Sequence, residues 1–247
     1  MSRRSVAIET HDGVCPTFVF RPNDAGAWPA VIFFMDAPGI RPTLLEMAER
    51  LASHGYIVLL PDLYYRAGPY EPVDPATLFS DPERRKRFAK FLSSTSFTKA
   101  RDDTAAFLSF LDVQPDVRGP KLGCVGYCMG GGMALTAAGA YPDRVAVAAS
   151  FHGGRLATDH PQSPHLLAPE TRARVYVAGA ENDASFPEEQ RILLEESLSN
   201  AGVRHRIETY VGARHGFAIP DHPAYHHGAA ERHWTELLQL LRETLVA

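Results

Sequence analysis

KLGCVGYCMGGG, residues 121–132, decides how this chain is read. Leu122, Cys124 and the small Gly123 and Val125 form a short buried strand. Residues 129–140, MGGGMALTAAGA, then form a helix. Between them Gly126-Tyr127-Cys128-Met129-Gly130 must turn sharply. Gly-x-nucleophile-x-Gly between a strand and a helix is a nucleophile elbow. Its centre is strained and crowded, so the residues two before and two after must be tiny, as Gly126 and Gly130 are. The turn lifts Cys128 clear of the strand and sets it at a helix N-terminus, where free N–H groups favour negative charge. A thiol there is expected to have a lowered pKa. The competing reading is that Cys128 is a small buried hydrophobe. The flanking elements and downstream partners discriminate between the two.

Outward from the elbow, buried strands alternate with helices. Residues 4–10 and 15–21 flank His11-Asp12-Gly13 as a hairpin, with Cys15 structural at a strand start. VIFFM, residues 31–35, is a buried strand that ends in Asp36-Ala37-Pro38-Gly39. Thr43 is placed to cap a helix over 44–53, and YIVLL, residues 56–60, is the next strand. Strand, helix and strand joined by short connections make a parallel unit. Residues 64–80, with Pro69, Pro72 and Pro75, read as an irregular excursion over the sheet. Helices are expected over 81–92, 98–111, 187–200 and 229–244, and strands over 144–151, 174–178 and 204–211. The expectation is an α/β fold: a mostly parallel central sheet with helices on both faces, in one domain spanning 1–247.

Composition narrows the function classes. The 247 residues are 45% hydrophobic, enough for a substantial core. A net charge of −4 gives no basic surface for nucleic acid. No apolar run is long enough to span a membrane, and the two early arginines lack the apolar core of a secretory leader. Cys124 and Cys128 do not have C-x-x-C redox spacing. A cytoplasmic protein, monomeric or a small homo-oligomer, is expected.

Three residues then stand at the carboxyl ends of strands, the second two strands after the first and the third one strand further on, where open parallel sheets gather function. They are Cys128, Asp183 and His215, in the order nucleophile, acid, histidine. His215 would take the thiol proton and later activate water, and Asp183 would fix its tautomer. Cys128 would attack an ester carbonyl to give a thioester. The N–H groups of Met129 and Ala37 would hold the oxyanion. Each residue also has a bland role: Asp183 could cap the following helix, and His215 could lie on the surface. His152, at a strand end, could line the mouth of the site, while His165 and His205 read as surface. His222, His226 and His227 cluster with Asp221, but Pro220 and Pro223 weaken a metal-binding helix, so no metal is expected. The basic run at 84–87 reads as a solvated face, with one arginine reaching an anionic substrate as the minor alternative.

The segments Gly126-Tyr127-Cys128-Met129-Gly130-Gly131, Gly212-Ala213-Arg214-His215-Gly216-Phe217 and Leu59-Leu60-Pro61-Asp62-Leu63-Tyr64 resemble the dienelactone hydrolase (carboxymethylenebutenolidase) family of α/β-hydrolases. The resemblance implies hydrolysis of a lactone ring by Cys, His and Asp with no cofactor. It assigns those roles to Cys128, His215 and Asp183. The family's founding enzymes carry a glutamate against the resting thiol where this chain has Asp36, which is thereby expected at the substrate site. They carry a carboxylate-binding arginine where this chain has Ile219, which implies a less charged substrate here. A small ester or lactone is the expected partner. A non-catalytic ligand-binding module on the same fold and a thiol redox sensor pairing Cys128 with Cys124 are the alternatives.

Overall fold

The computed structural model describes residues 2–78 and 82–246. Eight strands form one sheet: β1 (Ser2–Thr10), β2 (Gly13–Arg21), β3 (Trp28–Phe34), β4 (Ile57–Pro61), β5 (Val117–Tyr127), β6 (Val145–Phe151), β7 (Arg174–Asn182) and β8 (His205–Arg214). The spatial order is β1-β2-β4-β3-β5-β6-β7-β8. The β1–β2 hairpin is antiparallel and joins β4 antiparallel, whereas every pair from β4 through β8 is parallel. β3 and β4 are buried almost throughout, which is why they read as unbroken apolar runs without alternation.

The helices are α1 (Pro42–Ser53), α2 (Pro82–Ser94), α3 (Phe97–Asp112), α4 (Met129–Ala140), α5 (Glu188–Asn200) and α6 (His227–Leu241). Asp81, expected to begin the second helix, and the last residues of the excursion lie outside the described residues. Side chains one apart along a strand face opposite ways. On β5 a Cβ at Gly123 would meet Leu241 of α6, whereas one at Gly126 would meet Gly130 of α4. These positions differ in parity, so α6 and α4 lie on opposite faces of the sheet. α1 joins the α6 layer through Arg50, which pairs with Glu231 through two hydrogen bonds and lies over the Trp234 ring. No helix among the described residues is long and apolar enough to cross a membrane.

Candidate active site

The elbow is present between β5 and α4. Cys128 has φ 54° and ψ −121°, a left-handed conformation that costs energy for any side chain. The two flanking glycines have a steric reason. A Cβ at Gly126 would lie 1.8 Å from the Gly130 carbonyl oxygen, and one at Gly130 would lie 2.3 Å from that of Phe34. The start of α4 therefore packs directly on the ends of β5 and β3.

Cys128 opens onto a cleft of about 500 Å³. The loops after β3, β5, β6, β7 and β8 contribute Ala37, Met129, Arg155, Ser185 and His215 to its wall. Leu92 of α2 and Phe97 of α3 close it from the other side. All five loops leave the carboxyl ends of parallel strands, where the sheet's twist splays them apart.

His215 Nδ1 lies 2.7 Å from Asp183 Oδ2. Asp183 is only 7% exposed. Burial works against a charge on His215, but hydrogen bonds to Asp183 and Cys128, with the charges of both, outweigh it and raise its pKa to about 10. Burial likewise opposes the Asp183 carboxylate, and bonds from His215 and Ser185 overcome this and hold it below the usual carboxylate range. Ala37 and Met129 both line the cleft. Tyr64, 1% exposed, donates its hydroxyl to the Ala37 carbonyl at 2.6 Å and so steadies that loop.

Several expected residues are placed elsewhere. Asp36 is 2% exposed and does not border the cleft. Its two oxygens accept from Arg41 Nη1 and Nη2 at 2.6 and 2.9 Å. A carboxylate removed from water needs a cation or a proton, and Arg41, five residues on, folds back to supply the cation. Arg41 Nε and Nη2 also donate to Asp221 at 2.7 and 2.9 Å. The fork thus joins the loop after β3 to the loop after His215. Ile219 is fully buried and not at the cleft, so it has no direct bearing on substrate charge.

His152 does not line the mouth. It is fully buried with its ring 5.3 Å, edge-on, from that of His215. Neither ring nitrogen has a protein hydrogen-bond partner among the described residues, and burial pushes its pKa well below the ordinary value, so the ring is neutral. His165 is buried rather than on the surface, hydrogen-bonded to Ser163 at 2.8 Å. The histidines after Asp221 serve local structure: His222 Nδ1 accepts from Ala224 N and His226 Nδ1 from Ala229 N. Among the described residues no group of three or more His, Cys, Asp or Glu converges to hold a metal ion. Arg84 and Arg87 line a separate cavity with Tyr70 and Phe88. Cys124 is 1% exposed, and burial pushes its thiol pKa up; it lies on the α4 face of β5, beneath the elbow.

Comparison with known proteins sets this geometry in a lineage. The dienelactone hydrolase family model matches residues 15–245. The chain belongs to the dienelactone hydrolase family. It is 28% identical over 232 residues to the carboxymethylenebutenolidase of Pseudomonas putida, covering 93% of this chain and 92% of that one. The carboxymethylenebutenolidase of Pseudomonas knackmussii is similar to the same extent. Among solved structures, a dienelactone hydrolase-like promiscuous phosphotriesterase from metagenomic libraries superposes with a TM-score of 0.76, at 24% identity and 99% coverage of both chains. An acylaminoacyl peptidase from Pyrococcus horikoshii shares the fold at a TM-score of 0.72 and 15% identity, over 98% of this chain and 41% of that one. The protein is accordingly an enzyme of the dienelactone hydrolase class.

Sequence reasoning missed Arg41, Arg155 and Ser185. Ser185 had a signal, because a serine two residues after an aspartate at a strand end favours a turn closed on the carboxylate. Arg41 and Arg155 had none.

Proposed function

We propose that the protein hydrolyses a small ester or lactone through a thioester on Cys128. The supporting observation is that the strained elbow thiol and the His215–Asp183 pair border one cleft. Asp183 accepts the Nδ1 proton of His215, which leaves Nε2 as the atom that faces the thiol. With its pKa raised to about 10, His215 holds the proton drawn from Cys128, and the thiolate adds to the carbonyl carbon. The oxyanion forms beside the N–H groups of Met129 and Ala37, which need not reorganise to receive it. The imidazolium returns its proton to the leaving alkoxide. Water, deprotonated by His215, then opens the thioester and releases the acid.

Substrate choice follows from the cleft's mixed lining. Leu92, Phe97, Met129 and Met133 offer apolar surface, whereas Arg155, Thr158, His160 and Gln162 offer polar groups. Arg155 is exposed, and among the described residues no side-chain hydrogen bond or ion pair engages its guanidinium. It is the cation available to a substrate carboxylate, in place of the residue at 219. Turnover of p-nitrophenyl esters and lactones, neutral and carboxylate-bearing, by wild type and Cys128→Ala tests the reading. Retained turnover in Cys128→Ala would refute it.

A further inference from the structure

The turn after Asp183 brings one more polar side chain to the histidine. Ser185 is half-buried and borders the cleft. Its N–H donates to Asp183 Oδ1 at 2.9 Å, and its hydroxyl lies 2.5 Å from the same oxygen. The same Oγ is 3.1 Å from Nδ1 of His215. A hydroxyl has one proton to give, and an ionised carboxylate can only accept. The Ser185 proton therefore goes to Asp183, and Oγ turns a lone pair toward the imidazole. The Nδ1–H is then shared between Asp183 Oδ2 at 2.7 Å and Ser185 Oγ at 3.1 Å.

The hydroxyl is itself held in place by the neighbouring loop. The Ser185 carbonyl accepts from the Arg155 N–H at 2.7 Å. Gly154 leaves the room that the serine side chain occupies: a Cβ there would lie 2.8 Å from Ser185 Oγ and 3.0 Å from its Cβ. The loops after β6 and β7 thus fix a hydroxyl that touches both members of the His215–Asp183 pair.

We propose that Ser185 is a positioning residue of this site, whose hydroxyl locks the Asp183 carboxylate and holds the His215 ring with Nδ1–H toward that carboxylate and Nε2 toward Cys128. The proposal rests on the triad reading above. Without the hydroxyl, Asp183 Oδ1 keeps only the backbone donor, and the imidazole loses its second acceptor and can swing. The loss falls on the chemical step more than on substrate binding.

The test compares wild type, Ser185→Ala, Ser185→Thr and Gly154→Ala in p-nitrophenyl ester turnover. It adds the downfield proton NMR resonance of His215 Nδ1–H, assigned by its disappearance in His215→Ala. Ser185→Ala should lower kcat about tenfold to a hundredfold while KM stays within about twofold, less than loss of the base itself. The Nδ1–H resonance should move upfield and broaden by exchange. Ser185→Thr, which keeps a hydroxyl, should restore most of both. Gly154→Ala, which displaces the hydroxyl without removing it, should reproduce part of the loss and tests the idea even if Ser185→Ala fails to fold. Unchanged kcat and resonance in Ser185→Ala or Gly154→Ala would overturn the proposal, as would a kcat loss with the resonance unmoved. The triad reading fails separately, if Cys128→Ala still turns over ester, because the NMR signal reports the Ser185–His215 contact whatever the nucleophile.

Discussion

Asp36 follows β3 and Asp183 follows β7, and both carboxylates are nearly removed from water, at 2% and 7% exposed. Asp183 faces an imidazole at 2.7 Å. Asp36 faces a guanidinium through two bonds. The partner decides what each can do. An imidazole can give up and regain a proton during a reaction, and a carboxylate beside it tunes that exchange. A guanidinium never gives up its proton, so the Asp36–Arg41 pair is a fixed strut. Position at a strand's carboxyl end therefore marks residues that could act. The partner's chemistry separates those that react from those that hold the loops in place.

The comparison breaks most visibly if the reacting side proves dispensable. His215→Ala should lower kcat/KM by about 10²–10⁴-fold, the usual worth of a general base, with the fold retained by circular dichroism. If Asp36→Asn cost turnover as much as His215→Ala with no loss of stability, the assignment of roles would be inverted.

On the strut side, the expected loss is stability. Arg41→Met strands the Asp36 carboxylate in the interior, and removing one partner of a buried pair costs about 3–5 kcal/mol. A clear fall in the urea midpoint should accompany it. Asp36 and Asp221 replaced together by Asn and Ser in the Arg41→Met background should recover part of that loss, because no unpaired charge remains.

The His215–Asp183 pair also makes stability depend on pH. His215 binds its proton more tightly in the folded state, with its pKa raised from 6.5 to about 10. Its contribution to stability is complete below about pH 6.5 and is lost as pH rises through about 10. Asp183 has the opposite sign: its pKa is lowered, so its contribution is lost as pH falls through the folded value. Urea unfolding of wild type and His215→Ala between pH 6 and pH 10 should show an alkaline decline that the variant lacks. Equal declines in both would remove His215 as its source.

The smaller effect concerns substrate. Arg155→Ala should weaken kcat/KM about tenfold to a hundredfold for an ester with a second carboxylate, the worth of one charge-assisted bond, and leave its neutral counterpart unchanged. Equal loss on both substrates would mean that Arg155 shapes the loop rather than the selectivity. Ile219→Val should shave about 0.5–1.5 kcal/mol from stability as a buried methylene deletion, with selectivity intact.

What was legible in the sequence follows the same division. VIFFM, YIVLL and the glycine-framed elbow announce themselves because their burial or strain excludes other residues. Cys128, Asp183 and His215 could be ordered from strand ends alone. The boundaries were less legible. Arg41, not Thr43, is the N-cap of α1, which opens at Pro42 rather than Leu44. β5 begins at Val117 through exposed residues that carry no apolar signal. Asp36 was misplaced because its role depends on Arg41 folding back and on Asp221, 180 residues from Arg41, arriving beside it. His152 looked like a mouth residue because a strand end gives its position but not the inward turn of its side chain. Such contacts are made by tertiary packing and leave no local pattern.

Attack on the carbonyl carbon by the sulfur of Cys128 is the step on which every assigned role depends. Rapid mixing with p-nitrophenyl acetate, acid quench, proteolysis and mass spectrometry read it directly. An acetyl group is expected on the peptide carrying Cys128, formed in step with the nitrophenolate burst, absent from Cys128→Ala and persistent in a variant impaired in deacylation. A burst of nitrophenolate with the acetyl group on Cys15, Cys124 or a serine, and none on Cys128, would contradict it.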